Sequence, residues 1–230
     1  MARFTFFDAL GLYGTIDNIV DGNALTLSVA TPDTATLLDP QGDGFSFFGT
    51  GLTYSMAGIT GGTINGISAF TGTDLPLVTV ENLSVDAASF WTTFSVGGVL
   101  AASDLLTAGR DSFFGSGIGD VLDSGRGNDR INGNGGADLI HGGRGDDTLK
   151  GGTGADRFVF FAGEGNDTIK DFHDAGLASD DTIAISARMF RAMVVTETLT
   201  GVDLDFGAKG MLIVDGWHAI DVQRGDFFLI

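Results

Sequence analysis

The sequence predicts a mainly all-β protein in three parts: an N-terminal antiparallel β domain over residues 1–105 with short helices near 86–108, a parallel β roll over 106–175, and a β-rich C-terminal cap over 176–230. Three observations carry this reading. Apolar residues alternate along the first third of the chain, a nine-residue period runs through the middle, and Asp outnumbers Glu 27 to 3. Helix-rich acidic chains favour Glu, whereas Asp is short and folds its carboxylate back on nearby backbone, so the bias speaks for turns and cations.

In the first part, "ALTLSVAT" alternates Leu25, Leu27 and Val29, and "GLTYSMAG" alternates Leu52, Tyr54 and Met56, with Gly, Asp and Asn between the runs. That period of two reads as an antiparallel sheet or a small sandwich. After "LVTVENLSV" the texture changes, and Asp86 is placed to cap one short helix and Ser103 or Asp104 a second. The longest uncharged stretch, residues 44–73, is broken by Gly, Ser and Thr, so no membrane span of about 20 apolar residues is expected.

The middle part holds the strongest signal. Asp111, Asp120, Asp129, Asp138, Asp147 and Asp156 are each nine residues apart, and two places after each stands Phe113, Leu122, Ile131, Ile140, Leu149 or Phe158. A helix repeats every 3.6 residues and a strand every 2, so a period of nine belongs to a stacked unit of one short strand and one tight turn. Two blocks then make one coil, and turns eighteen residues apart share an edge. One edge carries Asp111, Asp129 and Asp147, the other Asp120, Asp138 and Asp156. Phe160 and Phe161 interrupt the count, after which Asp167 and Ile169 resume the two roles. The apolar ladder from Phe113 to Ile169 faces inward and forms a thin core.

The residue types of each turn suit calcium. The ion takes 6 to 8 oxygen ligands at about 2.3 to 2.6 Å, more than one carboxylate provides, so backbone carbonyls must converge as well. Glycine lets the backbone turn that way. The candidate metal residues are therefore the carboxylates of Asp111, Asp120, Asp129, Asp138, Asp147, Asp156 and Asp167 with the backbone of Gly125, Gly127, Gly133, Gly135, Gly142, Arg144, Gly151 and Thr153. Asp129 with Asp147, and Asp138 with Asp156, are the best-matched pairs. The chain has no Cys, which removes disulfides and thiolate sites.

These blocks resemble the RTX, or hemolysin-type calcium-binding, nonapeptide repeat, G-G-x-G-x-D-x-(apolar)-x. "GGRGDDTLK" and "GGTGADRFV" fit it fully, "SGRGNDRIN" and "GNGGADLIH" each miss one Gly, "GSGIGDVLD" puts Ile118 at the third Gly, and "LTAGRDSFF" keeps Gly109, Asp111 and Phe113. The resemblance implies a calcium-binding parallel β roll, several bound Ca2+ ions, and export by type I secretion machinery that reads an uncleaved C-terminal signal. The ending "RGDFFLI" is similar to such signals, although Phe227 to Ile230 also reads as a last core strand. The start "MARFTFFDAL" meets Asp8 before an apolar run develops and does not read as a cleavable leader. A secreted, extracellular or cell-surface protein follows, one that folds on meeting extracellular calcium.

Residues 1–105 fall outside the resemblance. Between Arg3 and Arg110 there is no Lys, Arg or His, which excludes histidine triads, lysine Schiff bases and basic phosphate clamps. The net charge of -18 makes nucleic acid a poor partner. The favoured reading is a non-catalytic binding or surface/matrix module, with a glycan or surface molecule as ligand. The alternative is a small extracellular polysaccharide-active enzyme using two of Asp33, Asp39, Asp43, Asp74, Glu81 and Asp86. His141, His173 and His218 are solitary and read as structural or solvent-facing, and Trp91, Trp217, Tyr13 and Tyr54 read as core.

Overall fold

The computed structural model describes residues 26–38, 44–55, 58–70, 76–92, 107–173, 180–219 and 221–230. The chain divides into two units, residues 1–112 and 113–230.

In the first unit the alternating runs form an antiparallel meander of β1 (Thr26–Thr31), β2 (Thr34–Leu38), β3 (Gly44–Ser55), β4 (Gly58–Phe70) and β5 (Pro76–Asp86). The described strands make one sheet rather than a sandwich. Phe45, Phe47, Ile64, Ile67, Val80 and Leu83 are buried with Phe90, whose ring lies 5.2 Å from that of Phe47. The opposite face carries a row of paired hydroxyls: Thr36, Ser46, Ser68 and Thr79 stand in register across four strands, with Thr36 bonded to Ser46 at 3.0 Å and Ser68 to Thr79 at 3.2 Å. The Tyr54 hydroxyl donates to the carbonyls of Thr31 and Thr34 and ties down the β1–β2 turn. Residues 87–92 are helical, and Asp86 accepts from the N–H of Ser89 at 2.8 Å, an N-cap bond. Ser103, Asp104 and Tyr13 lie outside the described residues.

Along the repeats each block supplies one short strand, of three residues except for the four of β12. β6 (Ser112–Phe114), β8 (Arg130–Asn132), β10 (Thr148–Lys150) and β12 (Asn166–Ile169) line one side, and β7 (Val121–Asp123), β9 (Leu139–His141) and β11 (Arg157–Val159) the other. Pairing is parallel and joins the inward residues, Ile131 to Leu149 and Ile140 to Phe158. Phe113, Leu122, Ile131, Ile140, Leu149, Phe158 and Ile169 are all buried and fill the roll.

The parallel sheets run on past residue 175. β13 (Thr182–Ile185) pairs with β11 through Phe158 and Ile183, β16 (Met211–Asp215) pairs with β12, and β17 (Phe227–Leu229) pairs with β13. The antiparallel β14 (Val194–Glu197) and β15 (Gly201–Asp205) follow β16 on the side of the roll that carries β12. Aromatic side chains fill this end, with Phe160 against Phe206 at 5.4 Å, Phe172 against Trp217 at 4.8 Å and Phe190 against Phe227 at 5.1 Å. Trp217 is thus a core residue. Among the described residues no helix is long and apolar enough to cross a membrane.

Candidate metal centre

The turns between the strands are shaped by their second and fourth residues. Gly143 has φ 85° and Gly145 φ 137°, in the left-handed region that side chains avoid. A Cβ on Gly145 would stand 1.7 Å from the Gly127 carbonyl oxygen of the coil before, so only glycine lets the turns stack this closely. Where a block lacks the second glycine, Asn134 takes the same conformation at φ 69°, which Asn tolerates.

Onto this backbone the Asp residues are threaded as two ladders. The N–H of Asp129 donates to Oδ1 of Asp147 at 2.8 Å, and that of Asp147 to Oδ1 of Asp167 at 3.1 Å. On the other edge the N–H of Asp120 donates to Asp138 at 2.7 Å, and that of Asp138 to Asp156 at 2.9 Å. All six side chains are buried. The second oxygen is a different matter: Oδ2 of Asp138, Asp147 and Asp156 is buried with no hydrogen-bond partner. Each faces the first glycine of its own block. A Cβ on Gly133, Gly142 or Gly151 would stand 2.2, 2.3 or 2.2 Å from Oδ2 of Asp138, Asp147 or Asp156.

Such atoms are costly to bury unless something answers them. Burial raises the Asp138 carboxyl to about 7, Asp147 to about 8 and Asp167 to about 7, and the neighbouring carboxylates push in the same direction. Asp120 and Asp156 are also raised by burial, Asp156 further by the charge of Asp171. A hard divalent cation supplies what these oxygens lack. Among the described residues no three His, Cys, Asp or Glu side chains form a ready-made metal cluster, so ion sites here must draw on the backbone as well.

The third-place carbonyls are well set for that. Gly127 donates its N–H to the Arg144 carbonyl at 2.7 Å and Gly136 to that of Thr153 at 2.8 Å, which leaves each carbonyl one lone pair. The Gly125 carbonyl accepts from Arg144 at 2.8 Å, and Gly135 pairs with Thr153 across the coils. The residues present fit calcium. Asp129, Asp147 and Asp167 on one edge and Asp138 and Asp156 on the other would hold the ions with these carbonyls, and the bound charge would satisfy the Oδ2 atoms of Asp138, Asp147 and Asp156.

The earlier blocks differ. Oδ2 of Asp120 is occupied by the N–H and hydroxyl of Ser116, at 2.6 and 3.0 Å, where Ile118 replaces a glycine and stands exposed. Asp111 is buried and accepts from the N–H of Gly109 at 3.2 Å.

One residue escaped the sequence count. Asp181 accepts from the N–H of Asp156 at 2.9 Å and so continues the second ladder, with its carboxyl raised by burial to about 6. Its only sequence signal is the "DTI" of Asp181 to Ile183, an Asp two places before an inward apolar residue, displaced to 25 residues after Asp156.

His141 is structural, as expected, but charged company surrounds it: Nδ1 lies 3.2 Å from Asp123 and Nε2 3.0 Å from Glu164. Burial alone would lower its pKa, and the two carboxylates outweigh that and raise it to about 10. His173 is exposed, and the exposed His218 pairs with Glu197 at 2.9 Å. Of the six carboxylates considered for sugar hydrolysis, Asp33, Glu81 and Asp86 are exposed, and Asp39, Asp43 and Asp74 lie outside the described residues.

The RTX calcium-binding nonapeptide repeat matches this chain in four copies, at residues 106–131, 114–149, 123–158 and 132–169. No curated protein matches it. Among solved structures, two subunits of the Azotobacter vinelandii mannuronan C5-epimerase are similar: one at 26% identity over 53% of this chain and 79% of that one, TM-score 0.42, the other at 25% over 53% and 88%, TM-score 0.43. An extracellular lipase of Serratia marcescens is similar at 16% identity over 88% of this chain and 30% of its own, TM-score 0.43.

Proposed function

Since residues 106–169 are RTX calcium-binding nonapeptide repeats with calcium as their cofactor, we propose that the chain is a secreted protein whose roll folds when it meets extracellular calcium. The observation that carries this is the set of buried, unanswered Oδ2 atoms on Asp138, Asp147 and Asp156. Without metal the stacked carboxylates repel each other and the net charge of -18 opposes compaction. With metal, binding free energy becomes folding free energy. Extracellular-type sites with dissociation constants of about 10⁻⁴ to 10⁻³ M fill at the millimolar calcium found outside cells and stay empty in the cytosol.

Export runs through type I secretion machinery that reads the C-terminal residues. The segment Phe227–Leu229 then leads two lives: a free tail while the roll is open, and strand β17 once it closes. The N-terminal sheet serves as a non-catalytic binding module for a glycan or another surface molecule, a role consistent with its hydroxyl row and its lack of Lys, Arg and His.

Calcium titration of the chelated full-length chain, followed together by far-UV circular dichroism and calorimetry, tests the folding switch. The expected result is a cooperative gain of β signal with several ions bound. A chain equally folded in chelator and in calcium overturns it.

A further inference from the structure

On the edge that carries Asp120, Asp138 and Asp156, the last repeat turn has no repeat stacked beyond it. Elsewhere on this edge the first N–H of a block donates to the ninth-place carbonyl of the next coil, Gly115 to Asn132 at 2.8 Å and Gly133 to Lys150 at 2.9 Å. At Gly151 the rule changes. Its N–H donates to Oδ1 of Asp171 at 2.9 Å, and the N–H of Gly152 donates to Oδ2 of the same carboxylate at 3.0 Å. Counting on from Ile169 and Lys170 in the eighth and ninth places, Asp171 stands where a repeat would begin with glycine.

The sixth place of that broken block is filled late, by Asp181, which holds the N–H of Asp156 with Oδ1 and the N–H of His173 with Oδ2 at 2.8 Å. Asp181 and Asp171 therefore each accept a backbone N–H on both oxygens, which leaves every one of those oxygens a lone pair. Asp156 does not: its Oδ2 is buried, without a partner, and lies against Gly151, the residue that Asp171 grips. Asp171 is near enough for its charge to be felt at Asp156. The neighbouring cation does not answer the pair, since Lys170 is bonded to Asp215 at 2.6 Å.

We infer that Asp156 and Asp171 are the carboxylate ligands of a further divalent-cation site, beyond the nonapeptide repeats, in which Asp171 takes the part of the missing turn and Asp181 continues the ladder beside it. The cation is calcium, by the all-oxygen donor set. The site rests on the calcium reading of the roll and extends it past residue 169, where the repeat match ends.

The test is a calorimetric calcium titration of the full-length metal-free chain and its D171N variant, with D33N as an exposed control. D171N keeps an acceptor for one of the two glycine N–H groups and loses the charge. The expected result is one ion fewer in D171N, with the D33N count unchanged. An unchanged count and affinity in D171N overturns the site while leaving the repeat sites intact. A wild-type chain that takes up no calcium overturns the repeat reading and this site together. If D171N does not fold, terbium luminescence of the wild-type chain decides, because Trp217 packs on Phe172, the next residue to Asp171. A sensitised signal that calcium displaces and that W217F abolishes supports the site. A signal unchanged in W217F sinks it.

Discussion

The backbone N–H of Asp129 donates to the carboxylate of Asp147, eighteen residues further on and one coil away. Asp138, Asp147 and Asp156 share this arrangement: Oδ1 stitches coils together, and the buried Oδ2 is left without a hydrogen-bond partner. Asn at position 147 keeps an oxygen for the stitch and loses the charge. D147N is expected to weaken the calcium dependence of folding by about tenfold or more, since hydrogen bonds and contacts that involve a charged group are worth about 1.5–3 kcal/mol. D33N, on an exposed turn, should leave the midpoint where it is. A D147N midpoint equal to wild type, read by circular dichroism against free calcium, would falsify the role.

The first glycine of a block protects the space beside Oδ2. In G142A the new Cβ would stand 2.3 Å from Oδ2 of Asp147. Overpacking of this kind costs about 1–3 kcal/mol, so both the calcium-loaded melting temperature and the calcium affinity should fall. G117A is the control, because a Cβ there meets nothing within 4 Å. Equal melting curves for the two variants would count against the packing account.

The metal-free chain should be more ordered in acid than in weak base. The Asp147 carboxyl moves from 3.8 in the open chain to about 8 in the roll, and those of Asp138 and Asp167 to about 7. Between those values the folded roll binds more protons than the open chain, so its stability falls as pH rises through the window. Below 3.8 the contribution is complete, and by about pH 8 it is gone. His141, raised from 6.5 to about 10 against the pull of burial by Asp123 and Glu164, acts with the same sign at higher pH. Circular dichroism in chelator at pH 5 and pH 8 checks it, and a β signal that is stronger at pH 8 refutes the sign.

The C-terminal strand offers a paired comparison. Phe227 is buried against Phe190, whereas its neighbour Phe228 is 48% exposed under the guanidinium of Arg157. F227A should cost about 3–5 kcal/mol, as large core truncations do. F228A forfeits an exposed cation–π contact of about 0.5–1 kcal/mol. Thermal melts in saturating calcium separate the two, and comparable losses would mean that β17 is not packed as described.

The roll was legible because its chemistry is local and repeated. Asp147 and Leu149 are spaced like Asp129 and Ile131, so one block explains the next, and the inward ladder could be read residue by residue. Asp86 was legible for the same reason, since an N-cap is decided within three residues. Asp181 was not. Its place on the ladder depends on β13 pairing with β11, a contact between segments whose separation is stretched by Phe160, Phe161 and the residues after Lys170. The tail met a similar limit, because "FFLI" does not name its neighbour, and its pairing with β13 is a contact between distant segments. Nor does alternation reveal that Thr36, Ser46, Ser68 and Thr79 fall in one row, which is a property of register across four strands.

The close stacking of the coils has a mechanical consequence. Eighteen residues span about 60 Å when drawn out, yet neighbouring strands stack at only about 4.8 Å. Closing each coil therefore reels in the chain more than tenfold along its path and turns a thread into a broad plug. For a chain exported unfolded, as proposed above, closure beyond a narrow passage would remove the drawn-out shape needed to slide back.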